Sequence, residues 1–159
     1  MNKRRIFEDF LSENIDRAFR FAYSYVKNRE DAEDILCESV EKALKSIDSL
    51  KHPEYIKSWF YKIVSNTALT FLSKRNKRET LNIDDFSGNS VCDDYSNLDF
   101  ENLIKVLDIK YKSVLVLRFM EDMKISDIAK ILNLSENTVK TRLYKALEIL
   151  KAVMEGIEI

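Results

Sequence analysis

Helix breakers are scarce in this chain: its 159 residues include two glycines and one proline. Average usage would be about 7% glycine and about 5% proline. A β-rich fold draws on Gly, Asn-Gly or Pro at many tight turns, and a nucleotide-binding α/β fold needs a glycine-rich phosphate loop. Neither supply is present, and the expected fold class is all-α. Long apolar runs are missing too. The run Val114 to Leu117 holds four residues, against roughly 20 for a membrane-spanning helix. Lys3, Arg4 and Arg5 are followed at once by Glu8 and Asp9, with no apolar stretch of the kind a signal peptide carries. The expectation is a cytoplasmic protein without membrane insertion.

Metal-binding and catalytic residues are equally thin. Cys37 and Cys92 are solitary, and His52 is the single histidine. A structural zinc site takes about four N or S ligands, so neither metal nor cofactor is expected, and both thiols read as reduced. No nucleophile pattern such as G-x-S-x-G accompanies His52. Acidic pairs such as Asp31 and Asp34 sit on a charge-rich helix start, where solvation is the default. Nothing supports an enzyme.

What the chain does have is charge, arranged in blocks. The net charge is −1, from 26 basic and 27 acidic residues. Residues 1–78 hold 16 basic and 12 acidic residues, residues 79–101 hold no basic and seven acidic, and residues 102–159 hold ten and eight. Neutrality therefore conceals two mildly basic blocks around an acidic connector.

Helical periodicity fills both basic blocks. Phe7, Phe10, Leu11, Phe19, Ala22 and Val26 form one stripe over 6–26. Asn28 resembles a helix cap, and the acids at 30, 31, 33 and 34 suit the positive end of a helix dipole. A second stripe follows in Ala32, Ile35, Leu36, Val40, Ala43, Leu44 and Ile47. Pro53 fits the first position of a third helix, where its missing N–H costs nothing. Ile56, Trp59, Phe60, Ile63, Val64, Thr67, Ala68, Phe71 and Leu72 give that helix a core face. Its other face carries Lys62, Asn66, Thr70, Ser73 and Lys77, and it closes in the basic run 74–78. Residues 79–97 lack any sustained period and read as a linker.

Periodicity resumes at Leu98, Leu103, Ile104 and Leu107, then at Val114, Leu115, Leu117 and Phe119. Ser126 reads as the cap of a short helix over 127–132, Asn133-Leu134 as a turn, and Ser135 as the cap of a longer helix reaching about Met154. Two helices joined by about three residues, with Ile128, Ala129, Leu134, Val139 and Leu143 apolar, form a helix-turn-helix candidate. Asn133 stands where glycine is usual and tolerates the left-handed conformation. The second helix offers Glu136, Asn137, Lys140, Thr141, Arg142, Tyr144 and Lys145 to a major groove. A helical hairpin with a wet outer face would share that local pattern.

Three segments, in order, resemble one family. DAEDILCESVEKALKSI (31–47) is similar to the polymerase-binding helix of extracytoplasmic-function (ECF) sigma factors, the two-domain initiation subunits of bacterial RNA polymerase. WFYKIVSNTALTFLSKRNKR (59–78) resembles their promoter-melting helix, with Trp59, Asn66 and the basic tail in place. Residues 114–150 resemble their second DNA-binding domain, including T-V-K-T-R at 138–142. Cys37, Leu44 and Asn133 stand where the family usually has Gln, often Trp, and usually Gly.

The resemblance implies three domain segments: 1–78 for polymerase and the −10 element, 79–97 as linker, and 98–159 for the −35 element. It implies core RNA polymerase and promoter DNA as partners, and makes an anti-sigma factor a candidate. Asp31, Asp34, Ile35, Cys37 and Glu38 would lie toward polymerase. At the −10 element, single-stranded DNA needs backbone charge and stacking rings. Lys62, Lys74, Arg75, Lys77 and Arg78 would supply charge, Tyr55 and Tyr61 rings, and Asn66 a base contact. Lys51 and His52 lie in the loop where the family captures a flipped base. At the −35 duplex the implied contacts are Ser135, Glu136, Asn137, Thr138, Lys140, Thr141, Arg142 and Lys145. The alternatives are a helix-turn-helix regulator acting without polymerase, and a helical adaptor without DNA activity. The first would not require 31–47 and 59–78; the second would not need the basic run 74–78.

Overall fold

A computed structural model describes residues 2–81 and 107–156, together with the backbone but not the side chains of 79–81. The chain divides into two compact units, Met1–Ser90 and Val91–Ile159. All regular structure among the described residues is helical, as the shortage of turn residues requires.

The first unit is built from α1 (Lys3–Val26), α2 (Arg29–Lys45) and α3 (Ile56–Leu81). Asn2 caps α1 by accepting the Arg5 N–H, and α1 stops at Lys27, which takes the left-handed conformation at φ 62°. One residue later Asn28 caps α2, as its position before an acidic first turn predicts. Between α2 and α3 lie two single 3-10 turns, Ile47–Ser49 and Pro53–Tyr55. Pro53 thus sits in a 3-10 turn leading into α3 rather than at its first position. Its missing N–H is tolerated there for the same reason. At the other end, α3 continues three residues past the basic run, to Leu81.

The three helices close on an aromatic core. Phe7 meets Phe60 at 5.2 Å between ring centroids, and Phe21 meets Tyr61 at 5.3 Å, both edge-to-face. That geometry sets the positive ring edge against the negative face. Ala22, Ile35, Ala43, Val64 and Ala68 complete the packing. The face of α1 that is buried includes Ala18, Phe21 and Tyr25, beyond the expected stripe, while Phe10 and Phe19 are only half-buried.

The second unit begins, among the described residues, with buried Leu107 and α4 (Ile109–Leu115). A π-helical turn, Val116–Met120, follows directly, with the Glu121 N–H donating to the Val116 carbonyl at 3.1 Å. Asp122 then takes a left-handed φ of 52°, and Arg118 Nη1 donates to the Met123 carbonyl at 2.9 Å. Next come α5 (Ile125–Leu132) and α6 (Glu136–Met154). The cap of α5 is Lys124, not Ser126: the backbone is extended at Lys124, so the helix starts two residues earlier than the serine suggested. Asn133 ends α5 in the left-handed conformation, φ 57° and ψ 49°, and Ser135 caps α6 as expected. Ile128, Ile131, Val139, Leu143 and Ala146 pack with Val114, Leu115 and Leu117 in this unit's core. The segment 82–97, with Gly88 and Cys92, and the stripe residues Leu98, Leu103 and Ile104 lie outside the described residues.

Candidate nucleic-acid and partner interfaces

Three surfaces hold the residues singled out by sequence, and burial sorts them. On α2 the cap is reciprocal. The Asp31 N–H donates to Asn28 Oδ1 at 2.8 Å, and Asn28 Nδ2 donates to Asp31 Oδ2 at 2.7 Å. Asp34, Cys37 and Glu38 are exposed on the outer side of α2, with Glu38 and Lys42 3.8 Å apart. Arg29–Glu33 and Glu41–Lys45 are further exposed pairs four residues apart, each worth about 0.3–0.5 kcal/mol. Ile35 does not share that surface. It is fully buried, because positions 32, 35, 36, 39 and 43 are the face that α2 turns to the core. Ile35 is therefore a packing residue, and the surface offered is polar and acidic.

On α3 the outward face carries Lys62, Asn66, Thr70, Ser73, Lys74, Lys77 and Arg78. None of Lys62, Lys74, Lys77 and Arg78 has an ion-pair partner among the described residues. Leu69 lies among them and is 49% exposed, an apolar member of this face that periodicity alone did not reveal. Tyr61 belongs elsewhere. It is fully buried against Phe21, since positions 61, 64 and 68 form the core side of the helix. Its ring cannot stack on a base without unpacking the unit. Arg75 is half-buried and its Nη1 donates to Asp31 Oδ2 at 3.3 Å, tying α3 to the start of α2. Tyr55, by contrast, is 57% exposed. It faces His52 edge-on at 6.0 Å, and His52 Nδ1 lies 3.5 Å from Glu54 Oε1. Lys51 beside them is exposed.

In the second unit, Asn133 and Ser135 set the angle between α5 and α6. Ser135 Oγ accepts the Thr138 N–H at 3.1 Å and also meets Thr138 Oγ1 at 2.8 Å. The Thr138 hydroxyl is thus engaged within the cap. Thr141 Oγ1 donates to the Asn137 carbonyl at 2.9 Å. Glu136, Asn137, Lys140, Thr141 and Lys145 are exposed, Arg142 is half-buried, and Lys145 lies 3.9 Å from Glu148. Tyr144, on the face of α6 that the sequence offers to a groove, is exposed, and Phe119 is a further exposed ring of this unit, outside the expected site. Among the described residues no cluster of His, Cys, Asp and Glu could hold a metal ion, and no helix is long and apolar enough to cross a membrane.

One unit thus ends in two helices joined at Asn133–Ser135, and the other exposes a basic helix face. Residues 10–78 match the family model of Sigma-70 region 2, and residues 97–150 match that of Sigma-70, region 4. Over 135 residues the chain is 44% identical to the RNA polymerase sigma factor SigV of Bacillus subtilis, covering 84% of this chain and 81% of that protein. It is 29% identical to the ECF RNA polymerase sigma factor SigW of the same organism, covering 95% and 90%. The chain belongs to the ECF RNA polymerase sigma factors. Its fold agrees with two solved relatives. One is the sigma factor RpoE in complex with the anti-sigma factor NepR from Bartonella quintana (TM-score 0.71, 23% identity, 93% of this chain and 98% of that one). The other is CnrH in complex with the cytosolic domain of CnrY (TM-score 0.70, 18% identity, 98% and 91%).

Proposed function

We propose that this sigma factor docks on core RNA polymerase through the acidic outer face of α2, engages the −10 element along α3 and reads the −35 element with α6. The observation that carries this reading is the division of α3. One face is aromatic and apolar core, and the other exposes Lys62, Asn66, Lys74, Lys77 and Arg78. A polar and basic face suits the backbone and bases of an opened strand. Tyr55, His52 and Lys51, exposed just before α3, supply a ring and charge for an extruded base. Preferring a single strand to a duplex at that point is what promotes melting. In the second unit, Lys140, Thr141 and Arg142 follow a capped helix N-terminus, which itself favours a phosphate. Arg142 and Lys140 are the candidates for base-edge or phosphate contact.

Neither basic block carries much charge, so each DNA site alone is weak. The connector that follows α3 and a common seat on polymerase would raise their effective concentration. The acids of that connector would compete with nucleic acid in the polymerase cleft. The same acidic and basic faces are candidates for an anti-sigma factor, by analogy with RpoE, solved in complex with the anti-sigma factor NepR. The role is that of an initiation factor in the cytoplasm rather than an enzyme.

Reconstitution with core polymerase should yield promoter-specific run-off transcripts. Reversing the charges of Asp34 and Glu38 should abolish co-purification with core while leaving helicity intact. Equal promoter binding with and without core polymerase would instead favour a free-standing helix-turn-helix regulator.

A further inference from the structure

We infer that Arg75 is a positioning residue rather than a phosphate contact: with Asp31 and Asn28 it forms a clasp that sets where the basic end of α3 points. This inference rests on the reading of α3 as the −10 helix. At 100° per residue, Lys74, Lys77 and Arg78 cluster on one side of α3, at spacings of three and four. Arg75 is turned about 100° from the middle of that cluster, toward the body of the unit. Its side chain is 35% exposed and that of its partner Asp31 is 24% exposed. Asp31 Oδ2 receives both Arg75 Nη1 at 3.3 Å and Asn28 Nδ2 at 2.7 Å. Asn28 in turn caps α2 through Oδ1. One carboxylate therefore links the joint after α1, the first turn of α2 and the last turns of α3.

Two residues assigned by sequence to different partners are thus each other's partner. The family resemblance turns Asp31 toward polymerase and Arg75 toward DNA. Each is held by the other, and the exposed side chains around them are left to make those contacts. The clasp lies between the acidic face of α2 and the basic end of α3, so it fixes the geometry of one relative to the other.

Holoenzyme formed with each variant distinguishes the roles, measured as promoter affinity against salt concentration. A phosphate contact lowers the salt slope by about one when removed. Lys77→Gln should do so. Arg75→Gln should weaken promoter binding about three- to tenfold with the slope unchanged. Asp31→Asn, which removes no positive charge from the DNA surface, should weaken it equally in holoenzyme formed at saturating core polymerase. The double variant should be no weaker than either single one, because both break the same link. A slope loss for Arg75→Gln matching that of Lys77→Gln, or additive losses in the double variant, would overturn the clasp and leave the −10 reading standing. A slope untouched by Lys77→Gln, Lys74→Gln and Arg78→Gln alike would overturn the −10 reading and the clasp with it.

Discussion

The hydroxyls of Tyr25 and Ser65 meet at 2.8 Å inside the first unit, joining the end of α1 to the middle of α3. Tyr25 is 3% exposed and Ser65 1%, so water does not reach the pair. Ser65 lies next to Asn66, the outward polar residue proposed to meet a base. The inner hydroxyl thus fixes the height of α3 against α1 at the level of the outer face proposed to meet DNA. Tyr25→Phe should cost about 1–3 kcal/mol, the range for a buried polar group losing its partner. Chemical denaturation of the whole chain checks it.

Packing and surface roles separate cleanly on α2 and α3. Ile35→Ala should destabilise by about 2–5 kcal/mol and Tyr61→Ala by about 3–5 kcal/mol, as large-to-small core substitutions do. Asp34→Lys, on the same helix as Ile35 but exposed, should shift stability by less than about 0.5 kcal/mol. Thermal melts of the three variants decide it. Tyr61→Ala with an unchanged melting temperature would return that ring to the surface.

Left-handed backbone without glycine predicts an easy gain. Lys27, Asp122 and Asn133 hold φ of 62°, 52° and 57°. Left-handed geometry costs an ordinary residue about 1–2 kcal/mol, partly offset by glycine's greater entropy loss on folding. Lys27→Gly should therefore stabilise by a few tenths to about 1 kcal/mol. Asn133→Val, which places a β-branched residue in the same conformation, should destabilise by more than about 1 kcal/mol. Denaturant midpoints test both.

Ser135 and Arg142 should fail differently. Ser135→Ala removes the cap of α6 and should cost about 1 kcal/mol of stability. Arg142→Ala should leave the melting temperature nearly unchanged while weakening −35-dependent transcription more than tenfold. Run-off assays on promoters with and without a −35 element separate the two effects.

Much of this architecture was legible in residue patterns because local chemistry decided it. Asn28 before an acidic turn, Ser135 three residues before Thr138, and Asn133 between two apolar stripes each became the cap or joint that their side chains favour. A family motif contains core and surface residues alike, so it brings Ile35 and Tyr61 into the contact sets, although the three- and four-residue steps Ala32–Ile35–Ser39 and Tyr61–Val64–Ala68 place both inside. The Asp31–Arg75 pair joins positions 44 apart, which no local period encodes. The π-turn was also hidden, because the run Val114 to Leu117 is apolar on every side. At Lys27 and Asp122 no glycine advertised a left-handed turn.

The unbroken length of α3 has a consequence for promoters. From Asn66 to Arg78 the backbone is continuous helix, and at about 1.5 Å per residue their Cα atoms stand about 18 Å apart. No proline or glycine interrupts that interval, so the helix works as a fixed ruler. If α3 tracks the opened strand as proposed, an added or deleted nucleotide there has no compliant point on the protein to absorb it. The mismatch must be taken up by the DNA, as a bulged base or a stretched backbone. Spacing inside the −10 element should accordingly be as selective as its letters.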